Sequence, residues 1–274
     1  MFHFIGYEQD SFMKSLYKRL MFVVMVVVGL STASLRAQVL QPGEEITYSV
    51  SYIGVNLGTI KIVNEGKQEI NGKQVFKCKA YIDSRPGIPF VELHTTYESW
   101  IDPSATSSSQ FIANTKENGG WTFDKYMFDY SNKQINTEKF KKNVKVDSKQ
   151  FNISKKYNDG LSLFFCARQL LYAKNTAVIP TMVMEDTTRT KINFVGKIEN
   201  IEIDAANYPV RTVYFDGLAD WTGVYGVTGA FEGWFSDDDA RIPIKAKMKL
   251  YLGSAKIELT SWKRKNDWQP PKGN

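Results

Sequence analysis

From Gln38 onward, apolar and polar residues alternate with a period of two along most of the chain. The stretch "EEITYSVSYIGVNLGTIKIVNEG", beginning at Glu44, puts Ile46, Tyr48, Val50 and Tyr52 on one side of an extended chain. Successive side chains of a strand point to opposite faces, so this reads as a half-buried strand, a turn within 54–58 and a second strand. Runs of the same kind cover 73–83, 91–101, 109–116, 121–130, 178–186, 191–195, 198–204, 209–216, 229–236, 241–251 and 255–263. Turn dipeptides at Asn71, Gly119 and Asp216 punctuate them.

One stretch breaks the pattern. In "NDGLSLFFCARQLLYAKN", residues 158–175, Leu161, Phe164, Phe165, Leu171 and Tyr172 share one face of a helical wheel. Asn158 and Asp159 stand where an N-cap belongs, and Asn175 closes the segment. Arg168 falls in the middle of the apolar face. A guanidinium drawn toward a core needs a carboxylate or several carbonyls, because burying it unpaired is very unfavourable. Structural pairing with Asp159 or with one of Asp237–Asp239 is the favoured reading, and a ligand-binding role is the other. The fold expected is therefore mainly β: one large curved antiparallel sheet, or an open or closed β-barrel, with one α-helix over about 158–175 packed against it. A single sheet of so many strands must curl or split to bury its apolar face.

The first 37 residues read differently. Lys14, Lys18 and Arg19 precede the apolar run "LMFVVMVVVGL", and "STASLRAQ" then brings small and polar residues, with Ala37 before Gln38. That order predicts a secretory signal peptide cleaved near Ala37, and the apolar run is short for a bilayer span. "MKSLYKRLMF" is already a complete signal start, so translation is expected to begin at Met13. An uncleaved membrane anchor is the alternative. Residues 38–274 contain no long linker and form one expected domain, periplasmic or secreted.

Export changes how the charge is read. The formal net charge of +6 is mild, and nucleic acid is not an expected partner. Lysines concentrate between Asn132 and Tyr157, Lys139, Lys141 and Lys142 among them. They suit a solvated edge that resists aggregation, or a contact with anionic lipid headgroups or acidic glycans. Cys78 and Cys166 lie in apolar settings, which favours two buried free thiols over a disulfide.

The run "FSDDDARIPIKAKMKLYLG" sets three aspartates between two strand patterns. Alternation keeps Asp237, Asp238 and Asp239 from facing one ion, and the ligand spacing of a calcium loop is absent. A hairpin turn built on local Asp hydrogen bonds fits best, ahead of a pairing site in which Asp238 meets Arg168 or Arg241. This block, with "GEEITYSVSYIGVNLGTIKI" and "DGLSLFFCARQLL" before it, resembles an exported bacterial family catalogued as domain of unknown function 3108. The resemblance implies a periplasmic β-rich protein and brings no activity or catalytic residues.

Scarcity limits the chemistry. After the leader, His94 is the single histidine, so any Ser-His-acid arrangement must use it and a multi-histidine metal site is excluded. No G-x-S-x-G elbow, P-loop or dinucleotide fingerprint occurs, and neither a cofactor nor a metal is expected. Glu92, His94 and Glu98 point one way along their strand. Facing a cavity they could act as general acid and base; facing water they are an ordinary exposed row. Six tryptophans can build an apolar pocket, sugar-stacking platforms or plain core. The expected function is a monomeric exported binding or carrier protein for a lipid-like or other apolar envelope ligand, or one for a glycan. The alternatives are a polysaccharide-active hydrolase or lyase around His94, and an envelope assembly scaffold without a ligand.

Overall fold

The structure, a computed structural model, describes residues 39–87, 92–117, 120–222, 228–249 and 253–274. The expected signal peptide and the turn position Gly119 lie outside the described residues.

Strands β1 (Glu45–Tyr52), β2 (Val55–Ile70), β3 (Lys73–Ser84) and β4 (His94–Ile101) open a meander. It continues through β5 (Ser108–Glu117), β6 (Gly120–Asp129), β7 (Gln134–Lys141) and β8 (Val144–Asn152). Helix α1 (Ser162–Leu170) and a 3-10 turn (Leu171–Ala173) follow. The second half holds β9 (Thr176–Val183), β10 (Asp186–Asn193), β11 (Ile198–Ile201) and β12 (Val210–Thr222). It ends with β13 (Thr228–Ser236), β14 (Pro243–Lys249) and β15 (Ser254–Lys263).

All join one 15-stranded sheet in the order β8-β7-β6-β5-β4-β3-β2-β1-β15-β14-β13-β12-β10-β9, with β11 attached to β12. The two halves of the chain thus meet where β1 pairs antiparallel with β15. The sheet is curled but not closed by strand pairing, and β8 and β9 form its ends.

Other contacts span that seam. Tyr157 O accepts the Ser108 amide of β5 at 3.0 Å, and the next residue, Asn158, donates its amide to Pro180 O of β9 at 2.9 Å. The turn between β9 and β10 reaches further. Its Glu185 amide donates to the Tyr126 hydroxyl of β6 at 3.0 Å, and its carboxylate takes Lys139 of β7 at 2.8 Å and Lys149 of β8 at 3.1 Å.

The inner face is buried. Phe165 and Leu171 of the helical segment, with Ile46, Ile101, Met182 and Ile242 of the sheet and loops around it, are each less than 2% exposed. Side chains that leave no surface to a water-sized sphere are packed at the density of a protein core.

Two sequence expectations are corrected. The helix is shorter than 158–175, because Asn158 is held in a bridge with Thr181 of β9 and cannot also be helical, while Lys174 takes a left-handed φ of 51° at the other end. The Asp216-Gly217 dipeptide is not a turn, since β12 runs straight through it. Gly217 stands opposite Phe231, and Gly233 opposite Phe215, in register across β12 and β13. A Cβ on Gly217 would sit 2.3 Å from the Phe231 ring and 2.4 Å from Lys191 O; one on Gly233 would sit 2.6 Å from the Phe215 ring. Each glycine makes room for an aromatic ring lying across the neighbouring strand.

Gly217→Ala is therefore expected to lower stability by about 2 kcal/mol through overpacking, read as a lower urea midpoint at unchanged slope.

Candidate functional site

Alternation along β1 decides where its acidic neighbours go. Glu45 points outward to Lys61 at 2.7 Å and Lys263 at 3.5 Å. Glu44 shares parity with Ile46, Tyr48 and Val50, and its carboxylate therefore turns inward, where it is 2% exposed.

Inside, it meets Arg168 of α1, which is 0% exposed. Arg168 Nη1 donates to Glu44 Oε1 at 2.6 Å, and Nη2 donates to Oε2 at 3.0 Å and to Ala240 O at 2.9 Å. The planar guanidinium fork matches the carboxylate edge, which makes this a bidentate, charge-assisted pair. The Phe164 and Phe165 rings lie 5.5 and 5.3 Å from its central carbon and present further negative potential. Arg264 Nη1 donates to the same Glu44 Oε2. A bulge in the β1–β15 pairing shifts parity, so that Trp262 faces Ile46 and Arg264 follows it inward. Burial pushes each guanidinium down to about 10, so both stay cationic at neutral pH.

Arg168 is thus paired with Glu44 and not with Asp159 or Asp238. The reason is that those carboxylates are already occupied. Asp159 Oδ1 accepts the Leu161 and Ser162 amides at 2.8 Å each. Its Oδ2 accepts the Ser99 and Ser108 hydroxyls at 2.6 and 2.5 Å. Ser162 Oγ accepts the Asp159 amide at 2.9 Å in return, which completes a reciprocal cap at the start of α1. Burial raises the Asp159 carboxyl, against the pull of Ser108, Ser99 and the two amides.

The aspartate run is a turn that also clamps the helix. Asp238 Oδ1 accepts Ser236 Oγ at 2.7 Å and the Ala240 and Arg241 amides at 3.0 and 3.1 Å. Its Oδ2 accepts Trp268 Nε1 at 2.6 Å. Asp237 pairs with Arg211 at 2.7 Å and accepts the Tyr172 hydroxyl at 2.9 Å. Asp239 is exposed. Arg241 reaches back to Gln169 O at 2.9 Å and Arg168 O at 3.3 Å, and it lies 4.8 Å above the Tyr172 ring. Its charge sits at the negative end of the helix, on carbonyls with no partner inside it.

The other candidates lie apart from this cluster. Glu92 precedes β4 and contacts Lys116 at 3.2 Å. His94 Nδ1 is 2.9 Å from Asp83, with side-chain exposures of 37% and 54%. Glu98 contacts Lys77 at 2.7 Å and Lys79 at 3.6 Å, in a ladder that includes Glu65. The three residues have separate partners and are not brought together. Lys139 turns toward Glu185, while Lys141 and Lys142 are exposed. Cys78 and Cys166 are buried and unbridged, and burial pushes the Cys166 thiol up to about 12.

A pocket of about 340 Å³ opens beside the Arg264 end of β15, lined by Asp204, Ala205, Ala206, Asn207, Tyr208, Trp262 and Gln269. Trp262 meets Trp268 edge to face at 6.0 Å, so the wall is braced on the Asp238 turn. Sequence reasoning did not reach this pocket, because its loop between β11 and β12 carries no motif.

A family model described as "Protein of unknown function (DUF3108)" matches residues 47–260. The chain belongs to the DUF3108 family. The matched span runs from β1 into β15 and includes Asp159, Arg168 and the aspartate run, whereas Glu44 and Arg264 lie just beyond its two ends. A β-barrel-like protein of the DUF1849 family from Brucella abortus is similar in structure, with a TM-score of 0.54 at 10% identity over 81% of this chain and 98% of that one. An exported protein with a YmcC-like fold from Bacteroides fragilis, whose exported status is itself an inference, aligns with a TM-score of 0.33 at 9% identity over 82% and 97% of the two chains. No curated protein matches the chain. The first likeness places the DUF3108 chain among barrel-like β folds.

Asp159→Ala removes the helix cap, leaves the Ser99 hydroxyl buried without its acceptor and leaves the Ser108 hydroxyl only Ser162 Oγ, at 2.7 Å. It is expected to lower stability by about 3 kcal/mol, against about 1 kcal/mol for the half-exposed Arg241→Lys, both measured by thermal unfolding.

Proposed function

We propose that the protein is an exported, non-catalytic envelope module that meets its partners from the outside of a filled, barrel-like sheet. One observation carries this reading. The place where an acyl chain would lie inside the curl holds α1 and the Arg168–Glu44–Arg264 cluster, with Arg168 0% and Glu44 2% exposed. A lipid tail there would strip two guanidiniums of their shared carboxylate or displace a packed aromatic core, and both changes are strongly unfavourable. The charge, apolar and small-residue order of the first 37 residues supports export. Exposed Lys141 and Lys142 on the β7–β8 turn support a peripheral contact with an anionic surface as a second property of the same module.

The test is native mass spectrometry of protein exported through a bacterial envelope and purified without detergent. The expected species is the bare chain beginning near Gln38. A stoichiometric lipid or acyl adduct on the folded protein would sink the proposal in favour of a carrier.

A further inference from the structure

We infer that the pocket beside Trp262 is a binding site for a neutral, hydroxyl-rich saccharide unit. This deepens the reading above by naming the chemistry of one partner, and it can fail while that reading stands.

The pocket has the size and the lining such a ligand needs. Its volume of about 340 Å³ lies at the small end of ligand pockets, which suits a mono- or disaccharide. Trp262 supplies a half-buried indole on one wall, an apolar surface against which the C–H face of a pyranose ring can lie. Ala205 and Ala206 of the loop between β11 and β12 add methyl groups to the same lining.

Polar groups ring this apolar patch and remain available. The Asp204 carboxylate and the Asn207 amide hold no hydrogen bond among the described residues, and the Gln269 amide makes one long contact, 3.3 Å to Asp267 O. Together they offer acceptors and donors at the rim, the mixture that sugar hydroxyls require. A carboxylate among them disfavours acidic sugars, so the ligand class is neutral.

The site is also preformed. The Asp204 amide is held by Glu258 Oε1 at 3.3 Å, Ala206 N by Ile203 O at 3.2 Å, and the Tyr208 hydroxyl by Pro270 O at 2.9 Å. Lys245 Nζ donates to Glu202 O at 2.8 Å just upstream. The C-terminal strap is fixed in turn, with Arg211 N on Pro271 O at 2.8 Å and Gly273 N on Pro209 O at 2.7 Å. A loop ordered before binding loses little entropy when a ligand arrives.

The experiment titrates the full mature chain with maltotriose, chitotriose and galacturonic acid, read by calorimetry and tryptophan fluorescence. Saturable binding of at least one neutral probe, with Kd on the order of 1 mM, is expected, without binding of the acid. Asp204→Ala and Asn207→Ala change exposed loop side chains and should each weaken binding about tenfold at unchanged melting temperature. Trp262→Phe should weaken it as well, and the two loop variants keep the test valid if that one fails to fold. No saturation by either neutral probe, or binding untouched by both loop variants, overturns the inference.

Discussion

Glu44 serves two guanidiniums at once, and the arrangement of the molecule follows from where that carboxylate can be. It stands directly before β1, Arg264 directly follows β15, and these strands are neighbours. Arg168 arrives from α1, and its remaining bond goes to Ala240 O in the loop between β13 and β14. Four distant parts of the chain therefore converge on one buried acid. A one-residue slip of β1 would turn Glu44 to the outer face and leave Arg168 in the interior without its carboxylate, so the charge cluster selects the register that hydrophobic alternation alone would only favour.

The same point explains how a sheet of 15 strands stays curled without closing. Its ends, β8 and β9, are joined through the Tyr157–Asp159 segment, through the capped start of α1 and through Glu185. The helix is fixed at its start by Asp159, in its middle by Glu44 and at its end by Arg241. It acts as a plug that the sheet wraps, and Gly217 and Gly233 leave room for the Phe231 and Phe215 rings that lie across β12 and β13. A framework fastened at so many points is a rigid platform, open to solvent at the Trp262 pocket and carrying exposed lysines on the turn between β7 and β8.

Most strands were legible because a period of two survives wherever one face is buried. The failures are nonlocal. Asp216-Gly217 looks like a turn in isolation, and only the ring of Phe231 across the next strand explains the glycine. Arg168 was recognisable as a buried cation, but its partner lies 124 positions away. Parity with Ile46 and Tyr48 was the available signal for Glu44. No such count could have found Arg264, because the bulge opposite Thr47 and Tyr48 inverts the alternation before it. The Trp262 pocket combines a strand end, a loop and the C-terminal strap, and that meeting exists only in three dimensions.

The central claim is that Glu44 and Arg168 depend on each other. A double-mutant cycle of Glu44→Gln, Arg168→Met and the pair, measured by urea unfolding, tests it most directly. Each single change is predicted to lose about 3–5 kcal/mol, and the pair is predicted to lose at least about 1.5 kcal/mol less than the sum. Losses that simply add, or single changes below about 1 kcal/mol, would contradict the account.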